Sequence, residues 1–330
     1  MTQFLKTVAT FASIQLFIAA VCFNIGKTGP DSYLGGIVAK ERRLGEGTEP
    51  RVILLGDSNV GFGIQSGIIK DRTHREVVNF GTDVGLGLDY ALNAVEPHVR
   101  TGDTIVVSYI FESLATDLAN GEVETVTRLQ CLSPPRRAYF GEALPEYTSK
   151  ILGRDGLRIP RTFARQAMAR IAIPNFDIRT RNVASGFVAS VDWTGHYGVP
   201  QEPEKIHEFC APIDTRILDR SIRTLNSFCK SCRAKGVTVV FSHAPTTREN
   251  YETNGEQLRD LHRELVSRLE FPVIDEPGDQ QYDRELFFDS RNHLTEKGGQ
   301  LRSQLVGNSL ARIVYGSTAP RTASSATTAN

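Results

Sequence analysis

The sequence predicts an α/β protein: a three-layer α/β/α sandwich around a mostly parallel five-stranded sheet, preceded by one apolar helix. Short runs rich in branched apolar residues (Arg51–Leu55, Glu76–Phe80 and Asp103–Tyr109) alternate with segments of helical spacing, which is the β-α-β-α-β series of a parallel sheet. A separate run from Val8 to Ile25 contains no charged side chain. At 330 residues and 40% hydrophobic content, the chain can bury one large core and still carry an insertion.

Taken in order, the Val8–Ile25 run is close to the about 20 residues that a spanning helix needs. It is longer than the about 7–15 residues of a signal-peptide core. Residues 1–25 are therefore expected to be an uncleaved membrane anchor, with a signal peptide as the alternative. The anchor is expected to be one continuous helix with few contacts to the body. Its flanks do not set an orientation, because Lys6 competes with Lys27, Lys40, Arg42 and Arg43. Residues 26–50, rich in glycine and charge, read as a flexible tether, and the body is expected over 51–315.

The first body strand stops at Gly56-Asp57-Ser58, turn and cap formers that deliver Ser58 to a strand's carboxyl end. In open α/β sheets that edge borders the ligand crevice. The second strand ends at Gly81, a helix is expected over Gly85–Val99, and the third strand follows. From 120 to 214 the pattern loosens into an insertion or lid. Within it, Trp193 and Tyr197 offer aromatic faces suited to stacking on sugar rings, a local apolar plug being the equal alternative. His196 beside them lacks an ordered carboxylate. A helix over Arg216–Lys235 leads to a fourth strand, Gly236–Phe241, whose carboxyl end makes His243 a candidate pocket residue, a His that satisfies loop backbone being the commoner alternative. Helix Gln257–Leu269, a short fifth strand Pro272–Asp275 and helix Leu301–Tyr315 complete the body. The tail, 316–330, has no apolar period and reads as disordered.

The chemistry-bearing residues sit at the two ends of the body. Asp289 and His293 lie just before an amphipathic segment, on one loop at a helix start. A serine hydroxyl is a weak nucleophile until an imidazole takes its proton, and the imidazole works best with a carboxylate fixing its tautomer. Ser58, His293 and Asp289 supply those three groups. Taken alone, an Asp and a His four apart are equally well explained by a capped helix start.

Leu55-Gly56-Asp57-Ser58, Asn79-Phe80-Gly81 and Asp289 through His293-Leu294 together make the chain resemble the SGNH, or GDSL-like, hydrolase superfamily over roughly 50–315. The resemblance implies a flavodoxin-like sheet, a Ser58-His293-Asp289 triad, and an oxyanion hole that uses the amides of Ser58 and Gly81. Gly81 is equally explained as a turn glycine. Three residues separate Asp289 from His293 where many relatives have two, a spacing similar to the branch associated with bacterial exopolysaccharide loci. That branch implies an acylated envelope or exported polysaccharide as substrate, with small esters as surrogates, and a domain on the periplasmic or extracytoplasmic side. The family's oxyanion asparagine is absent, and Glu112 at the end of the third strand would repel a negative oxygen.

Net charge is zero, with 38 basic and 38 acidic residues interspersed, which argues against the basic surface that nucleic acid requires. Five cysteines lack zinc-site spacing, and Cys229-X-X-Cys232 falls in a helical pattern where incidental placement is expected. No metal or cofactor is called for.

Overall fold

The computed structural model describes residues 2–26, 33–122, 158–172 and 210–314, with isolated positions such as Thr125 and Ile206 beyond them. In chain order its first elements are α1 (Thr2–Gly26), α2 (Tyr33–Gly45), β1 (Arg51–Gly56), α3 (Ser58–Gly63), α4 (Ser66–Thr73) and β2 (Glu76–Gly81). There follow α5 (Gly87–Val95), β3 (Thr104–Ser108), α6 (Glu112–Ala115), α7 (Arg158–Ala172) and α8 (Thr215–Ala234). The last are β4 (Thr238–Phe241), β5 (Thr246–Thr247), α9 (Arg248–Arg268), β6 (Gln281–Tyr282) and α10 (Glu296–Ile313).

The main sheet has four parallel strands in the order β2-β1-β3-β4. Because side chains alternate along a strand, each strand feeds two cores. Ile53, Leu55, Val78, Phe80, Ile105 and Val107 join residues of α2, α5 and α8 on one side. On the other, Val52, Leu54, Val77, Val106 and Val240 meet Val60, Ile69, Val306 and Leu310 from α3, α4 and α10, and Ile64 just after α3. The chain leaves β1 for β2 on one flank and then crosses to β3 on the other. That reversal opens a crevice at the carboxyl ends of β1 and β3.

The expected fifth strand is reduced to a single parallel bridge between Val273 and Phe241. Phe241 N–H donates to Pro272 O at 2.8 Å and Ile274 N–H to Phe241 O at 2.9 Å. Pro272 has no N–H to extend the ladder. On the far side, the Asp275 side chain takes over, accepting the His243 N–H at 2.8 Å.

The tether assignment is corrected over most of its length. Residues 33–45 form α2, and Leu34, Ile37 and Leu44 are buried in the larger core. Full burial of such a side chain contributes about 1.5–3 kcal/mol, enough to dock a helix that would be marginal alone. Its buried Lys40 donates from Nζ to Gly81 O at 2.6 Å. Arg51 locks the end of α2 onto the sheet, donating to Leu44 O at 2.6 Å and Glu46 O at 3.0 Å.

Two expected helices start earlier than their apolar periods suggested. Thr247 caps α9, accepting from Asn250 N–H, and Thr295 caps α10, accepting from Gly298 N–H. Such caps stabilise a first turn that carries no apolar stripe.

One helix, α1, is long and apolar enough over Gln3–Cys22 to cross a membrane. It is continuous, and it leaves Phe4, Leu16 and Phe17 about 70% exposed. The expectation of few contacts to the body is corrected: α1 packs along α7, from the expected insertion, where Phe163 and Ala167 are buried. The remainder of 120–214, with Trp193, His196 and Tyr197, lies almost entirely outside the described residues. So does the tail apart from Gly316.

Candidate active site

Ser58 is the first residue of α3, directly after the turn that closes β1. Asp57 caps this helix, and its carboxylate accepts four hydrogen bonds. Asn59 donates from its backbone at 3.0 Å and from Nδ2 at 2.6 Å; Ile110 N–H donates at 2.9 Å and Ser113 Oγ at 2.8 Å. Asp57 thus joins the Ser58 turn to the segment that follows β3, in keeping with its expected role as a capper.

Asp289 and His293 arrive on a hairpin-like loop. Phe287 and Leu294 form an antiparallel bridge, Phe288 N–H donates to His293 O at 3.1 Å, and the chain turns over residues 289–292. The extra residue between acid and base is absorbed by this turn, which still brings both side chains together. His293 Nδ1 lies 2.7 Å from Asp289 Oδ1, and Nε2 lies 2.8 Å from Ser58 Oγ. A carboxylate only accepts, so Nδ1 carries the proton and Nε2 is left to accept the Ser58 hydroxyl. Asp289 is the outer member, with 45% of its side chain exposed, whereas His293 is 19% exposed.

Two aromatic residues that sequence reasoning did not single out hold the imidazole. Phe288 stacks on it at 5.5 Å between centroids, and Phe62 lies tilted against it at 4.7 Å. Phe62 is four residues after Ser58 and Phe288 immediately precedes Asp289, so proximity in sequence was the available signal.

The Gly81 amide, expected as an oxyanion donor, is already occupied: it donates to Asn79 Oδ1 at 2.9 Å. Gly81 serves close packing instead. A Cβ there would come within 2.1 Å of Gly61 N, so glycine is what lets α3 lie against the end of β2. The Ser58 amide differs. The three amides after it all turn toward Asp57, while Ser58 N–H, at the first helical position, has no intrahelical carbonyl to meet.

Glu112 is buried and ion-paired with Arg291, which lies on the turn between Asp289 and His293. Beside this pair is a cleft of about 40 Å³ lined by Tyr109, Cys210, His243 and Asn292, with room for only a small group. Among the described residues the buried Tyr109 hydroxyl has no hydrogen-bond partner, and burial, then Asp57 and Asp89, push its pKa up. His243 does line this pocket, but its Nε2 faces His262 Nδ1 at 2.9 Å. Burial, reinforced by His262, pushes its pKa down to about 3. Cys229 and Cys232 sit buried in α8, and burial pushes the Cys232 thiol up to about 12, which makes it a packed thiol. Among the described residues, no cluster of three or more His, Cys, Asp or Glu side chains could hold a metal ion.

No model of a known protein family matches this chain, and no curated protein matches it in sequence.

Proposed function

We propose that the chain is a serine esterase or O-acyltransferase of the SGNH type, held at a membrane by α1. The observation that carries this reading is the continuous chain of contacts from Ser58 through His293 to Asp289 at the carboxyl edge of a parallel sheet. In the proposed reaction Ser58 Oγ attacks an ester carbonyl while its proton passes to His293 Nε2. The tetrahedral oxygen meets the Ser58 amide. Collapse breaks the bond to the alcohol, which leaves with the proton from His293, and an acyl-serine remains. Water then gives hydrolysis, and a sugar hydroxyl gives transfer: either attacks the acyl carbonyl as His293 takes its proton, the bond from the acyl carbon to Ser58 Oγ breaks, and His293 returns the proton to Ser58 Oγ.

The substrate we favour is a short O-acyl group, such as acetyl, on an envelope or exported polysaccharide, with the domain on the periplasmic or extracytoplasmic face. Both the short acyl group and the polysaccharide rest on the sequence resemblance. Cores on both faces of the sheet support a three-layer α/β/α reading, with Pro272–Asp275 as its vestigial fifth strand. From the expected insertion, Ile206 packs with Phe287 and Leu294, the bridge that carries the Asp289–His293 loop.

One observation favours a second reading, a non-catalytic protein that keeps the fold to bind glycan or a biosynthetic partner. With the Gly81 amide occupied and Glu112 paired, the Ser58 amide is the sole oxyanion donor identified among the described residues. Losing one donor from such a hole typically costs about 10²–10³ in turnover. Turnover of p-nitrophenyl acetate by the full-length protein, lost in Ser58→Ala, separates the readings; equal turnover by both proteins would reject the enzyme.

A further inference from the structure

Arg302 is fully buried on α10, and among the described residues it forms no ion pair. Its guanidinium instead grips oxygens at the carboxyl edge of the sheet. Nη1 donates to Asn59 O at 2.8 Å, and Nη2 donates to Ser108 Oγ at 2.9 Å and His243 O at 3.2 Å. Gly63 makes room for it, since a Cβ there would lie 2.9 Å from Nη1. Burial pushes its pKa down to about 10, against the opposing fields of Tyr282, Asp275 and Asp57.

The Asn59 that Arg302 holds is itself knotted into the turn. Its Nδ2 donates to Asp57 Oδ1 at 2.6 Å and to Ser108 O at 3.1 Å, and its Oδ1 accepts from Ser108 Oγ at 3.2 Å. Both chain neighbours of Ser58 are therefore fixed by one buried network, with Asp57 as its anion and Arg302 as its cation. Arg302 also belongs to the helix that begins three residues after His293. It is thus the side chain that ties the nucleophile's turn to the helix following the base.

Burying an ion without an ion pair is costly, and an apolar residue would glue α10 to the sheet at a smaller penalty. An apolar residue could not hold the Asn59 carbonyl. We infer that Arg302 is a positioning residue, setting the Ser58–His293 separation by holding α3 and α10 in register. This inference rests on the proposed serine chemistry, and a misplacement of about 1 Å at such a site can cost about 10²-fold in rate.

The test uses the full-length protein in detergent micelles, as wild type, Arg302→Met and Arg302→Lys, with Ser108→Ala removing one guanidinium contact together with the Ser108 bond to Asn59 Oδ1. Inactivation by a fluorophosphonate is resolved into maximal rate and half-saturating concentration, and amide hydrogen exchange is followed over 57–63 and over β1. The expected result for Arg302→Met is a maximal rate about 10²-fold lower at unchanged half-saturation. Exchange should be faster in α3 and unchanged in β1. Arg302→Lys, which keeps the charge but loses the fork, should fall between Arg302→Met and wild type. Ser108→Ala should shift α3 the same way but less; because it also loses the bond to Asn59 Oδ1, Arg302→Lys decides the matter if Arg302→Met does not fold, and wild-type rate and α3 exchange in Arg302→Lys would then overturn the inference. Wild-type rate and α3 exchange in a folded Arg302→Met would overturn the inference. So would loosening of β1 and α3 together with Lys no better than Met, because that marks a general packing role. If the wild type is not labelled at all, the serine reading falls, and α3 exchange alone decides whether Arg302 positions the turn.

Discussion

His293 and His243 both stand at the carboxyl edge of the sheet, yet their surroundings are opposite. His293 is partly open to solvent, with a carboxylate on Nδ1 and a serine on Nε2. His243 is buried, its Nε2 faces a second imidazole, and desolvation holds it neutral down to about pH 3. A strand end supplies access to the crevice, but a carboxylate partner and room for charge are what let an imidazole accept and return a proton. His243 has the first and lacks both others.

The largest effect that would break this contrast is on His293. His293→Ala should lower p-nitrophenyl acetate turnover by about 10⁴-fold or more, since general base and acid are lost together. If His243→Asn is the inactive variant while His293→Ala keeps its rate, the base has been assigned to the wrong histidine.

Asp289→Asn should lower the same turnover by about 10²-fold, less than the about 10⁴-fold expected of a buried triad carboxylate, because water already screens Asp289. A loss as large as that of His293→Ala would show that its exposure is closed off during turnover.

His243→Asn should cost less than about tenfold in rate and should be read through stability. In the folded chain His243 titrates near 3 against about 6.5 when unfolded, so its contribution is complete above pH 6.5 and is lost as pH falls. Asp275, which accepts the His243 N–H, is raised by burial to about 6. It works in reverse, adding stability as pH falls from about 6 toward 4. The two oppose each other in the wild type, and the substitution removes only the first. The gap in melting temperature between wild type and His243→Asn should therefore close between pH 6.5 and 4.5, by at most about 3 kcal/mol of stability. A gap that is constant or widens on acidification would mean that His243 charges within the fold.

The four strands of the main sheet and the Ser58, Asp289 and His293 positions were legible because they rest on local signals: branched apolar runs, glycine-containing stops and cap residues. What was not legible depends on contacts distant in sequence. The stretch containing α2 looks like a tether because glycine and charge dominate it, although Leu34, Ile37 and Leu44 carry a helical spacing that only the sheet makes meaningful. Gly81 looked like an oxyanion donor until the side chain of Asn79, two residues before it, proved to hold its amide. Pro272–Asp275 has strand composition but loses its ladder to a proline and to the Asp275 side chain. Arg302 gave no signal, since an arginine in an amphipathic helix ordinarily faces water.

Fluorophosphonate labelling of the full-length protein decides whether Ser58 is an activated nucleophile, with intact mass counting adducts and peptide mass spectrometry locating them. One covalent adduct on Ser58 is expected, absent from Ser58→Ala and strongly slowed in His293→Ala. A wild-type protein that stays unlabelled, or an adduct that persists unchanged in Ser58→Ala, would mean that Ser58 is not the nucleophile.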